Sequence, residues 1–166
     1  MDHKKLFEEL KKRFGEDKIL AFDDENSIPP KISVAPNSLN AVCDYLAKEY
    51  EIKFDALMCL SGVDVGDELG VALHLHSMKD DVKVGLESLC KRDNPHIDSV
   101  ASVYATANWH EREAYDMFGI IFDGHPKLTR IFLADDWEGW PLRKDYVPAQ
   151  YWHGMPIAKE LTHKMK

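Results

Sequence analysis

A change of period fixes the fold class. Through Leu69, Val71, Leu73, Leu75 and Ser77 the chain alternates with Gly70, Ala72, His74 and His76. An apolar side chain at every second position is what a strand with one face against a core requires. Phe54–Val63 and Val82–Leu86 are strand-like as well, and Gly66-Asp67-Glu68 supplies a turn between the first two strands. Upstream of Phe54 the period is helical. Leu6, Phe7, Leu10 and Phe14 form one stripe of a helix over residues 4–14 that Gly15 ends. Pro36-Asn37-Ser38 launches a second helix carrying Leu39, Val42, Cys43, Leu46 and Tyr50 at helical spacing. Two short apolar runs, Ile19–Phe22 and Ile32–Ala35, flank a polar turn over Asp23–Pro30 and read as strands. Helices that each own one apolar stripe, followed by successive half-buried strands, predict a two-layer α+β domain. Its mixed, mainly antiparallel sheet is covered by helices on one face.

Composition narrows the function. A chain of 166 residues is enough for one domain with a sizeable core. The net charge of -8 argues against a nucleic-acid binder, which would show a basic footprint. There is no apolar run long enough to span a bilayer, and the first residues, Met1 to Phe14, lack the apolar centre of a secretory signal. Cys43, Cys59 and Cys90 are far apart and form no C-x-x-C, so they read as reduced thiols and not as cluster ligands. His74 and His76 share a strand face, but no third ligand accompanies them, and a solvated sheet face accounts for both.

The stretch Trp109–Tyr146 is different in kind. No proline or glycine interrupts Trp109–Phe118, Gly119 is a C-terminal stop, and Asn108 is the expected N-cap. On that helix Trp109, Arg112, Glu113 and Asp116 share one side, and an Arg112–Asp116 pair at i,i+4 is expected to contribute ~0.2–0.5 kcal/mol. Ala114, Tyr115, Met117 and Phe118 sweep the other side with Glu111 among them, and a carboxylate in that position must find a partner. His110-Glu111 begins like a zinc-protease helix, yet position 114 is alanine and the second histidine is missing. Ile120–Phe122 and Arg130–Leu133 read as short strands around a turn at Asp123-Gly124-His125-Pro126. From Asp135 onward neither period holds. Residues 135–166 then form an irregular arm after a domain of residues 1–134, with rings and arginines suited to a protein interface. The competing expectation is an arm that folds back over its own sheet.

The run Glu111-Arg112-Glu113-Ala114-Tyr115-Asp116-Met117-Phe118-Gly119-Ile120, then Gly124-His125-Pro126, Arg130-Ile131 and Asp136-Trp137-Glu138-Gly139-Trp140-Pro141-Leu142-Arg143-Lys144-Asp145-Tyr146, closely resembles one family. It is the thirty-kilodalton-type subunit of proton-pumping NADH:quinone oxidoreductase, respiratory complex I. Thr129 departs from the pattern, since relatives often place a second basic residue there. The resemblance implies an oxidoreductase subunit that is itself non-catalytic and holds no flavin, iron–sulfur cluster, quinone or metal, these belonging to its partners. It implies a peripheral place in the hydrophilic arm, on the cytoplasmic face of an energy-transducing membrane. The neighbours would be the quinone-site subunit and the bearer of the terminal iron–sulfur cluster. Little chain follows Tyr146, so no fusion to the quinone-site subunit is expected. Glu111, Arg112, Glu113 and Asp116 would then fix register with the partner, and Trp109, His125 and Arg130 would share that interface. Trp137 and Trp140 would anchor the arm, Arg143, Lys144 and Tyr146 would lie in the same interface, and loss of Arg112 would strand a carboxylate. Related membrane hydrogenases and dehydrogenases fed by ferredoxin or a deazaflavin use similar subunits. The alternative from another class is a metal-dependent hydrolase built on His110, Glu111, Asp116 and His125.

Overall fold

The computed structural model describes residues 2–156. Five strands, β1 (Ile19–Asp23), β2 (Lys31–Val34), β3 (Ala56–Asp64), β4 (Glu68–Ser77) and β5 (Val82–Lys91), form one sheet in the order β1-β2-β5-β4-β3. All neighbours are antiparallel except β2 and β5, so the sheet is mixed and mainly antiparallel, as the sequence predicts. β5 runs past the expected Leu86, because its ladder with β4 continues to Lys91 opposite Glu68. Two shorter strands, β6 (His96–Asp98) and β7 (Ile121–Asp123), pair in parallel, and a two-residue pair, β8 (Tyr151–Trp152) and β9 (Met155–Pro156), closes the described chain.

The alternation in β4 does what its period requires. Leu69, Val71, Leu73 and Leu75 have no exposed surface, while His74 points to solvent. His76 is half-buried, with Nε2 3.0 Å from Asp81 Oδ1. Against the apolar face lie Leu6 and Leu10 of α1 (His3–Phe14) and Leu39, Val42, Cys43 and Leu46 of α2 (Leu39–Lys48), all fully buried. Full burial of one leucine contributes about 1.5–3 kcal/mol relative to exposure, so this shared layer is the main source of stability. Asp2 accepts hydrogen bonds from the Lys4 and Lys5 amides at the start of α1, and Gly15 ends it at φ 98°. A single turn of 3-10 helix, Pro36–Ser38, leads into α2.

A third helix, α3 (Ala107–Phe118), joins β6 to β7. It packs on β3, where the Phe118 ring lies over Gly62. A Cβ on Gly62 would come within 2.4 Å of that ring, so the missing side chain is what lets the helix approach. Gly62 stands opposite Val71 in register, which places α3 on the same face as α1 and α2. The opposite face of the sheet carries the exposed Ser61 and His74.

Two local expectations are corrected. α3 begins at Ala107 after Thr106, which makes no side-chain cap bond, so Asn108 is inside the helix and not its N-cap. Residues 130–133 form no strand, with bends at 131–133, because the amides of 131–133 bond elsewhere. Met117 and Phe118 are only half-buried, since part of their cover is irregular chain.

Candidate functional site

The signature residues form a clasp around α3, and its two buried carboxylates organise it. Glu111 has no exposed surface. Ser99 Oγ–H donates to its Oε2 at 2.6 Å and the Val100 amide to its Oε1 at 2.7 Å. The carboxylate that the sequence places among apolar residues is thus hydrogen-bonded, tying α3 to the loop after β6. His125 lies beside it, Nε2 3.9 Å from Oε2 and 3.2 Å from the Asn108 carbonyl. Because His125 Nδ1 accepts the Lys127 amide at 3.0 Å, the ring proton sits on Nε2 and faces that carbonyl. Burial pushes the Glu111 carboxyl up to about 7, against the pull of the Ser99 and Val100 hydrogen bonds.

Asp116, one and a half turns further on, is also fully buried. Its Oδ2 accepts three successive amides, Ile131 at 3.0 Å, Phe132 at 2.7 Å and Leu133 at 3.1 Å. Arg130 Nη1 approaches Oδ1 at 2.9 Å. Burial would raise this carboxyl, but the Phe132, Ile131 and Leu133 amides and the Arg130 guanidinium outweigh it and hold the group below its ordinary value. The partner of Asp116 is therefore Arg130 and not Arg112. Arg112 turns away, donating through Nε to the Thr129 carbonyl and through Nη2 to Thr129 Oγ1, both at 3.1 Å, with its guanidinium 4.7 Å from the Trp109 ring centre. Thr129, the position that departs from the resemblance, gives Arg112 an uncharged acceptor. Loss of Arg112 strands no carboxylate.

The segment after Arg130 folds back over α3. Arg130 also donates to the Trp137 carbonyl at 3.2 Å and lies 4.5 Å from the centre of the Trp140 ring. Trp140 lies over Gly119, whose φ of 70° closes the helix and whose absent Cβ would stand 2.5 Å from the indole. Only glycine meets both demands. Arg143 Nε donates to the Phe118 carbonyl at 2.6 Å, and the Leu142 amide to the Met117 carbonyl at 3.1 Å, so two free carbonyls of the last helical turn are satisfied from this segment. The Lys144 amide donates to Asp64 Oδ2 at 2.8 Å, and Arg92 binds Asp64 on one side and Asp145 on the other. Burial pulls Asp64 upward, yet Arg92 and the Lys144 and Gly66 amides hold it at about 2. Trp137 Nε1–H donates to the Tyr146 hydroxyl at 3.2 Å. Trp109 (63% exposed) and Glu113 remain at the surface, as do the side chains of Phe132, Leu142 and Lys144.

Sequence reasoning found the clasp's helix but missed Ser99, Asp64 and Arg92. Only Asp64 carries a local signal, since Asp64-x-Gly66 is a side-chain-to-backbone turn with the Gly66 amide on Asp64 Oδ1 at 2.9 Å. The hydrolase set is not assembled. Glu111 faces Ser99 and Asp116 faces Arg130, and among the described residues no group of three or more His, Cys, Asp or Glu side chains is placed to hold a metal. No helix of the described residues is long and apolar enough to cross a membrane.

Fold and clasp together define an α+β domain whose two buried signature carboxylates are bonded within the chain, Glu111 to Ser99 and Val100 and Asp116 to Arg130. Residues 32–152 match the model of the respiratory-chain NADH dehydrogenase 30 kDa subunit. The NADH-quinone oxidoreductase C-subunit of Chloroherpeton thalassium is 41% identical over 162 residues, covering 93% of this chain and 65% of that one. Its counterpart from Chlorobium phaeobacteroides is 40% identical over 154 residues, covering 91% and 92%. The chain belongs to this 30 kDa subunit family of NADH-quinone oxidoreductases. It spans just under two thirds of the Chloroherpeton relative and nearly all of the Chlorobium one. Among solved structures, the Nqo5 trypsin-resistant fragment (1-134) matches the fold with a TM-score of 0.61 at 23% identity, covering 77% of this chain and all of that fragment. A chain of the archaeal membrane-bound sulfane sulfur reductase matches with a TM-score of 0.66 at 17% identity, covering 87% and 85%.

Proposed function

We propose that the chain is a peripheral-arm subunit of a proton-pumping NADH:quinone oxidoreductase and supports the quinone-reducing module without reacting itself. The observation that carries this reading is the match to 30 kDa-type relatives over nine-tenths of the chain, including the whole clasp. In this role the chain binds no flavin, iron–sulfur cluster or quinone. It sits on the cytoplasmic face of the membrane beside the quinone-site subunit and the bearer of the terminal cluster, and touches the bilayer only through the assembly. Of the signature, the buried Glu111 and Asp116 and the half-buried Arg130, Trp140 and Arg143 act within the chain as a frame. His125 backs Glu111 in that frame. The exposed half, Trp109, Glu113, Lys144 and the open edge of Trp137 and Tyr146, meets the partner, and Arg112 holds the Trp109 ring in place for it. Phe132 and Leu142 extend that surface, being 66% and 55% exposed, and isolated apolar side chains of that size gain most from being covered.

The likeness to a chain of the sulfane sulfur reductase is one of fold alone, so the electron donor is left to experiment. Tagged full-length chain purified from gently solubilised membranes is expected to bring down a large assembly containing flavin and several iron atoms per chain. Recovery of iron without flavin moves the chain to a complex fed by another donor. A chain recovered soluble and alone overturns the subunit reading.

A further inference from the structure

Beyond the clasp, Trp137, Tyr146, Tyr151 and Trp152 wall a cleft of about 230 Å³ whose remaining lining includes the carboxylates Asp136 and Glu138. The two indoles pack on each other, 5.9 Å apart at 46°, and leave an outer ring face to the cleft. Asp136 is bound to His153 Nε2 at 2.6 Å, whereas Glu138 is exposed and makes no ion pair among the described residues. Among the described residues no lysine or arginine lines the cleft. The indole N–H of Trp152 is buried without an acceptor among the described residues. Negative π-faces beside Glu138, a carboxylate with no ion-pair partner among the described residues, attract a positive charge. The cleft is smaller than the roughly 300–1,000 Å³ of a small-molecule site and fits a single long side chain.

We propose that this cleft receives one arginine side chain of a partner polypeptide, its guanidinium stacked on Trp137 or Trp152 and hydrogen-bonded to Glu138. A planar guanidinium suits this better than an ammonium, because it stacks on an indole and meets a carboxylate through two parallel N–H bonds. The identity of the partner rests on the subunit reading, but the ligand chemistry does not. The cleft adjoins the clasp through Trp137 and Tyr146, so an arginine seated there would lock the folded-back segment at the moment of docking.

The test has two arms. In the first, full-length chain labelled at its indole nitrogens is titrated with acetyl-Gly-Arg-Gly-amide and with the same tripeptide carrying uncharged citrulline. The Trp152 indole signal, assigned with Trp152→Phe, should shift saturably with the arginine tripeptide, with a dissociation constant on the order of 1–10 mM. The citrulline peptide should bind at least tenfold more weakly, and Glu138→Gln should weaken the arginine peptide severalfold. Equal response to both peptides, or no saturable response to either, overturns the proposal. In the second arm, Glu138→Lys, a surface change, should leave the thermal midpoint of the isolated chain unchanged and cut its recovery in the membrane assembly severalfold. Undiminished recovery overturns the proposal and leaves the subunit reading standing. If even the unaltered chain brings down no assembly, the subunit reading fails, and the tripeptide titration still decides what the cleft binds.

Discussion

Glu111 and Asp116 lie on the same helix, are equally buried, and titrate in opposite directions. Burial pushes Glu111 up to about 7 despite two hydrogen bonds, whereas Asp116 is held below its ordinary value. The difference lies in the neighbours. Glu111 receives one hydroxyl and one amide, with the proton of His125 turned to a backbone carbonyl. Asp116 receives three amides and a guanidinium, enough to replace the water it gave up. Burial alone does not say whether a carboxylate is charged. The donors around it do, and here they make one end of the clasp an ion pair and the other a group poised near neutrality.

The largest effect should come from breaking the ion-paired end. Arg130→Ala leaves Asp116 buried without its cation and is expected to cost about 3–5 kcal/mol in urea unfolding. A cost under 1 kcal/mol would mean that the three amides suffice. The poised end is sharpened by pH. The folded pKa of Glu111, about 7, lies above its ordinary 4.5, so its contribution is fully present below pH 4.5 and is lost as pH rises to 7. That loss amounts to about 3 kcal/mol by linkage. Glu111→Gln keeps the size of the side chain and one acceptor oxygen but cannot ionise. It should abolish this decline, visible as a flatter unfolding midpoint between pH 4.5 and 7. Asp116 has the opposite sign. Its depressed pKa contributes stability that is present above its unfolded value and lost as pH falls through the folded one, so it leaves the Glu111 window untouched. The smallest effect is that of Arg112→Ala, about 0.5–1.5 kcal/mol for a partly exposed side chain whose acceptors are neutral. A loss as large as that of Arg130→Ala would show that Arg112 shares in holding Asp116.

The parts of the fold governed by local period were legible. The leucines of β4 and the stripes of α1 and α2 are where their spacing puts them, and the demand of Glu111 for a partner followed from its place among apolar residues. What was illegible is long-range competition. The i,i+4 spacing of Arg112 and Asp116 suggested a pair, but Arg130, fourteen residues from Asp116 along the chain, brings its cation and the following amides together. The same event explains why Ile131, Phe132 and Leu133, β-favouring by composition, form no strand. Their N–H groups converge on a single oxygen, and a ladder needs them facing outward in alternation. Nothing in the segment around Trp140 could cover its ring. Its cover is Gly119 and Tyr115, and the signal was present as a glycine with no side chain at the end of an aromatic helix.

The parallel pairing of β2 with β5 carries a consequence in time. Ile32 is paired with Leu86, so the β1–β2 hairpin leaves the ribosome with its inner edge bare. At about 5–20 residues per second it waits roughly 3–10 seconds for its partner strand. The β3–β4–β5 meander, built of neighbours in sequence, is the natural template, and the first hairpin is the late addition that closes the sheet. During that interval the hairpin's exposed edge is open to any other extended segment, which makes the first third of the chain the part most in need of protection while the protein is being made.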